Sequence, residues 1–196
     1  MKKIVLTLLL FCVACAQAQA TDLIVCSLPP QAYVLKKLLG PGVEVLTLLK
    51  PGANPEQYEP GIQLLRRLPQ ARAYFGLGHA HFSFEQVWIQ KIRQQYPALP
   101  VYMTRILHDQ MLEDPHVWLS PTLMIRYVDE VAADLKKVFP EKKIVIETRR
   151  KVLKQEFQDL DRELRKTLRP YLGRRFLDFH PAWFYFARDY GLHQLV

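Results

Sequence analysis

The chain has 196 residues, with 27 Lys plus Arg against 19 Asp plus Glu and a formal net charge of +8. That length holds one full hydrophobic core or two small ones. The composition argues against two classes. The basic excess across residues 142–175 is interleaved with acids and has few stacking aromatics, so nucleic-acid binding is not expected. No run beyond the first 20 residues is long and apolar enough to span a bilayer.

Residues 1–20 read as a secretory signal peptide. Lys2 and Lys3 form a positive start, Ile4 to Ala14 a short apolar core, and Ala18-Gln19-Ala20 a cleavage site after Ala20. Cys15 after Val13-Ala14 is a weaker lipidation pattern, so a lipid anchor is the subordinate expectation and the periplasm the expected location. Cleavage leaves 25 basic and 19 acidic residues, +6, since both lost charges are lysines. It also removes Cys12 and Cys15. Cys26 is then the lone cysteine, without an internal disulfide partner, and its apolar run Leu23-Ile24-Val25-Cys26 predicts a buried strand.

Strand and helix signals then alternate. Strands are predicted near 23–28, 43–49, 71–77 and 99–103, with helices over Gln31–Leu39, Glu59–Leu68 and Phe82–Gln94. This order predicts an α/β lobe over residues 21–138: a mainly parallel sheet with helices on both faces. Such sheets bind ligands in the loops at the carboxyl ends of their strands. Ser120-Pro121 is a helix start, with Ser as cap and Pro in the first turn, for a helix reaching Val138. A longer helix is predicted over Glu141–Arg169, free of internal Gly and Pro. Ile146, Leu153, Phe157, Leu160, Leu164 and Leu168 give it an apolar stripe, and residues 139–170 read as a linker between two lobes. Arg174–Phe179 is a strand candidate, and Pro181–Tyr190 begins a helix. Residues 171–196 therefore read as the start of a second, incomplete α/β lobe, with Phe176, Phe179, Trp183, Phe184 and Phe186 as a heavy apolar load.

Three residues that follow three different strands could hold a metal: Glu56, His116 and His180. Glu56 lies on the proline-braced loop 51–60, His116 between Pro115 and Trp118, and His180 just before Pro181. Two imidazoles and a carboxylate suit Zn2+ and can accept Mn2+. His79 and His81 are either accessory ligands or solvated loop histidines. His108, Asp109, Glu113 and Asp114 form a weaker metal-collecting segment.

These motifs resemble the zinc/manganese substrate-binding proteins of bacterial ABC importers. That family has a first-lobe loop Pro-Gly-x-Asp-Pro-His-x-Tyr-Glu-Pro, and residues 51–60 read Pro-Gly-Ala-Asn-Pro-Glu-Gln-Tyr-Glu-Pro. Asp114-Pro115-His116-Val117-Trp118-Leu119 matches a second signature. His180-Pro181-Ala182-Trp183-Phe184-Tyr185-Phe186-Ala187 with Tyr190-Gly191-Leu192 matches a third. The resemblance implies two α/β lobes bridged by one long helix. It places the ligands at His116, His180 and position 56, where Glu replaces the family's histidine. It implies a fourth carboxylate ligand late in the second lobe, beyond Val196, and hence a truncated second lobe. The implied function is extracytoplasmic capture of Zn2+, or Mn2+, for an inner-membrane ABC permease, and not an enzymatic one. A separately encoded second lobe is a further implied partner. The competing readings are a truncated, non-transporting remnant with weak or no metal binding, and a zinc hydrolase using Glu59, Asp114 or Asp178 as base. No His-Glu-x-x-His helix supports the latter.

Overall fold

The computed structural model describes residues 21–55, 57–80, 82–106 and 114–196. The expected signal peptide lies outside the described residues. Strands β1 (Asp22–Cys26), β2 (Val43–Thr47), β3 (Ala71–Gly76) and β4 (Val101–Met103) form one sheet in the order β2-β1-β3-β4. Every pairing is parallel, with Ile24 opposite Val45 on one side and Ala73 on the other. This is the predicted α/β sheet. Its central strand shows why: Ile24, Val25 and Cys26 are each 0% exposed, as a strand covered on both faces requires. Burial pushes the Cys26 thiol up, in keeping with a structural role.

The chain leaves β1 through helix α1 (Pro29–Leu39) to β2, then returns past β1 to β3 through the four-residue α2 (Ile62–Leu65). Helix α3 (Ser83–Gln95) leads from β3 to β4. Right-handed crossovers in opposite directions place α1 on one face and α2 and α3 on the other. The strand order reverses between β1 and β3, which opens a crevice at their carboxyl ends. Helices α4 (Pro121–Val138) and α5 (Lys143–Leu168) pack on each other and on α1, thickening the first face.

Local chemistry sets several boundaries. The Ser120 hydroxyl accepts the Leu123 N–H at 3.1 Å and Pro121 fills the first turn, so α4 starts where the sequence predicts. The Gln31 side chain accepts the Leu28 N–H at 2.9 Å and closes the start of α1. The helix expected over Glu59–Leu68 shrinks to α2 and a 3-10 turn at Leu68–Gln70. None of α2's residues is buried, so packing does not sustain a longer helix. Gly61 enters it from an extended conformation, and Arg67 turns to a bidentate pair with Glu44 at 2.6 Å.

The long helix is continuous for 26 residues, flanked by 3-10 turns at Pro140–Lys142 and Arg169–Tyr171. At 1.5 Å per residue it is about 39 Å long. Its expected stripe packs unevenly. Ile146 and Leu153 are buried and Phe157 is half-buried on the core, whereas Leu160 is exposed. Its residues up to Phe157 run over α1 and α4, and beyond them Asp161 and Arg165 bond the carboxyl-terminal segment. Ion pairs of Arg150 and Lys154 with Asp129, and of Lys37 with Glu156, tie the earlier stretch down.

In that segment, β5 (Arg175–Leu177) precedes helix α6 (Phe184–Tyr190). The sequence predicts a single strand in residues 171–196. The structure corrects this: β5 pairs in parallel with β6 (His193–Leu195), setting Arg175 opposite His193 and Leu177 opposite Leu195. The αL cap Gly191, at φ 66°, turns α6 into β6. The expected apolar exposure is uneven. Phe179 is 96% exposed and Phe184 54%, while Phe176, Trp183 and Phe186 are half-buried. Among the described residues, no helix is long and apolar enough to cross a membrane.

Candidate metal site

His116 lies between Pro115 and the 3-10 turn Val117–Leu119 that leads into α4. One Asp114 carboxylate oxygen, Oδ1, accepts the His116 backbone N–H at 2.8 Å and the ring Nδ1–H at 2.5 Å. A carboxylate acceptor assigns the proton to Nδ1, which leaves Nε2 unprotonated and able to bind a metal. The Trp118 ring stands edge-on at 5.1 Å and limits ring rotation.

His180 follows β5 and is exposed. Its N–H donates to Asp178 Oδ1 at 3.2 Å, and its carbonyl accepts from Gln194 Nε2 at 3.0 Å. Gln194 Oε1 also accepts the Trp183 N–H at 3.2 Å, so one β6 side chain braces both ends of the His180 turn. The sequence reading missed this brace because nothing in it signalled β6.

The two histidines, 64 residues apart in sequence, meet at their Nε2 atoms, 3.2 Å apart, with rings at 89° and centroids 5.0 Å apart. A tetrahedral Zn2+ bonded to two imidazoles at about 2.0–2.1 Å sets those nitrogens roughly 3.3 Å apart. The spacing of the pair, also that of an Nε2–H···Nε2 hydrogen bond, therefore matches two ligands on one metal. Glu56, His81, His108, Asp109 and Glu113 lie outside the described residues. Among the described residues, no group of three His, Cys, Asp or Glu side chains is spaced to hold a metal. His79 is not a solvated loop residue: it is 3% exposed, and its carbonyl accepts from the Phe82 N–H and from Gln86 Nε2. Two carboxylates considered as general bases are engaged otherwise, Asp114 on the His116 ring and Asp178 on the His180 backbone.

A second polar cluster, also missed from sequence, fixes the crevice itself. Glu85 of α3 is 0% exposed and accepts the N–H groups of Leu77 at 2.5 Å and Gly78 at 2.6 Å, together with the Ser27 hydroxyl. Ser27 also bonds the Tyr74 hydroxyl at 2.6 Å. Burial raises the Glu85 carboxyl above its usual range, against the lowering effect of these donors. The cluster joins the carboxyl ends of β1 and β3. A Cβ on Gly76 would meet the Met103 sulfur at 2.7 Å and Glu85 Oε1 at 3.2 Å, so a side chain there would displace the end of Met103 and crowd the Glu85 carboxylate.

The family model described as "ZnuA: Zinc-uptake complex component A periplasmic" matches residues 24–196. The chain belongs to this family. It is 27% identical over 224 residues to the zinc-binding lipoprotein AdcA of Streptococcus pneumoniae, covering 100% of this chain and 44% of AdcA. It thus spans less than half of that relative. Its fold matches a crystal structure of ZnuA with a TM-score of 0.79 and 35% identity, over 89% of this chain and 69% of ZnuA. It also matches the Zn(II)-bound ZnuA-like domain of S. pneumoniae AdcA, with a TM-score of 0.76 and 26% identity, over 89% of this chain and 66% of that one.

Proposed function

We propose that this protein is the extracytoplasmic solute-binding component of an ABC importer, capturing Zn2+ and presenting it to an inner-membrane permease. The observation that carries this reading is the 3.2 Å separation of His116 Nε2 and His180 Nε2, with the His116 tautomer fixed by Asp114. Membership in a zinc-uptake family and likeness to a zinc-binding lipoprotein support the same cargo. Two neutral imidazoles favour Zn2+ over Mn2+, which prefers oxygen donors. Glu56 is the proposed third ligand, and water completes the coordination available from this chain. Residues 21–138 serve as the metal-binding lobe, 139–170 as the connecting helix and 171–196 as the opening of a second lobe. Residues 1–20 direct export to the periplasm, with cleavage after Ala20. The role is binding and not catalysis, because the carboxylates nearest the pair orient its histidines.

Zinc titration of the mature chain tests this. A 1:1 complex is expected that is lost in His116→Ala and in His180→Ala and weakened in Glu56→Ala. Zinc saturation unchanged in both histidine variants refutes the site. In zinc-depleted cells that produce the permease, the full 196-residue precursor should support uptake and its His116→Ala variant should not.

A further inference from the structure

The two proposed ligands come from segments with separate sheets, yet they meet to within a coordination distance. Two hydrogen bonds from α6 account for this. The Tyr185 hydroxyl donates to the Asp114 backbone carbonyl at 2.6 Å, and Tyr185 is 0% exposed. Asp189 accepts the Ser120 hydroxyl through Oδ2, while its Oδ1 accepts Arg188 Nε at 2.8 Å and Nη2 at 2.7 Å. Asp114 and Ser120 bracket the His116 turn on either side. His180 lies four residues before α6 begins, so α6 is the piece of chain that refers one histidine to the other. Helix α6 is held from behind as well: Arg165 donates to the Asp189 carbonyl at 3.1 Å, and the Tyr190 hydroxyl to Asp161 at 3.1 Å.

We infer that Tyr185 and Asp189 are positioning residues that set the spacing of the His116–His180 pair by clamping α6 onto both ends of the His116 turn. The inference rests on the metal-site reading above and adds to it a specific device. Asp114 is its centre: its carboxylate orients the His116 ring, and its carbonyl is the point Tyr185 grips. Loss of the Tyr185 hydroxyl frees that peptide to rotate, and the carboxylate then no longer presents one fixed oxygen to Nδ1. Loss of the Asp189 acceptor frees the other end of the turn.

The test is Tyr185→Phe, which removes one oxygen and keeps the ring. Zinc titration of the mature chain should show about a tenfold loss of affinity, the usual scale for a group that supports a ligand. An unchanged zinc affinity in Tyr185→Phe overturns the inference. Asp189→Asn, which keeps an acceptor for Ser120, should bind zinc more tightly than Asp189→Leu; equal losses in both also overturn it. A metal-free readout separates this inference from the metal-site reading. Nitrogen-15 spectra of the His116 ring should show the Nδ1–H form in the wild type and a tautomer mixture in Tyr185→Phe. Identical spectra overturn the clamp even if zinc binds. Altered spectra support it even if zinc does not bind, in which case the metal-site reading alone fails.

Discussion

Both sheets of this protein are parallel, but they are stabilised differently. The four-stranded sheet has a central strand with Ile24, Val25 and Cys26 fully buried and helices over it. The two-stranded sheet pairs Arg175–Leu177 with His193–Leu195 and leaves Leu177 68% exposed. The first makes its own core. The second takes its position from neighbours: α6 sits on the His116 turn through Tyr185 and Ser120, and on α5 through Arg165 and Asp161. The proposed metal site lies where they meet, one histidine on each. Strand pairing gives direction, while rigidity comes from what covers the faces.

The largest expected effect tests the meeting point. His116→Ala should abolish 1:1 zinc binding while leaving the far-ultraviolet circular dichroism unchanged, because the first core does not depend on that ring. A loss of secondary structure would erase the distinction between scaffold and site.

Next comes the difference in core strength. Leu35, on α1, is 0% exposed, and Leu35→Ala should cost about 2–5 kcal/mol in denaturant unfolding. Phe179→Ala, at a ring 96% exposed, should fall within about 0.5 kcal/mol of the wild type. Comparable losses would mean that the carboxyl-terminal segment carries stability of its own.

A smaller effect separates interior from surface by pH. Burial raises the folded-state carboxyl of Glu85 above its ordinary 4.5. Its favourable contribution is complete below that ordinary value and is lost as pH rises through the raised folded value. The melting temperature of the wild type relative to Glu85→Gln should therefore rise as pH falls through that window. Glu147 behaves oppositely. Hydrogen bonds from Arg150, then Lys136, hold its carboxyl down at about 2. Its contribution is present above 4.5 and is lost as pH falls from there toward about 2, so Glu147→Gln should matter least in strong acid. Its exposure to solvent keeps the effect small. Paired difference curves with the same sign would contradict this assignment.

The smallest effect concerns the brace on His180. Gln194→Ala removes bonds at both ends of that turn and should weaken zinc binding modestly, with hydrogen exchange faster at Trp183 than at Leu77. Unchanged exchange at Trp183 would show the brace to be idle.

Much of this was legible in the sequence. Apolar runs bounded by Pro and Gly marked β1 to β4, and their alternation with helical segments gave the parallel sheet. Ser120-Pro121 fixed the start of α4 through its own hydroxyl and ring. The absence of Gly and Pro from residues 143–168 foretold the continuous rod. Asp114-Pro115-His116 and His180-Pro181 stood out as motifs because their residues are neighbours in the chain. The contraction at α2, the exposed Leu160 and the strand β6 were not legible. Each depends on what lies alongside, and three-residue strands carry too little pattern to be told from a loop.

The sequence by itself determined the element types, the ligand candidates and the family motifs, since these rest on local backbone preferences and residue order. Tertiary structure alone decided that His116 Nε2 and His180 Nε2 lie 3.2 Å apart, that Asp114 serves the His116 ring and Tyr185 at once, and that Glu85 is buried beneath the crevice. Those are meetings of atoms far apart in the chain, and only the packing of α6 onto the His116 turn and of α3 onto β1 and β3 brings them together.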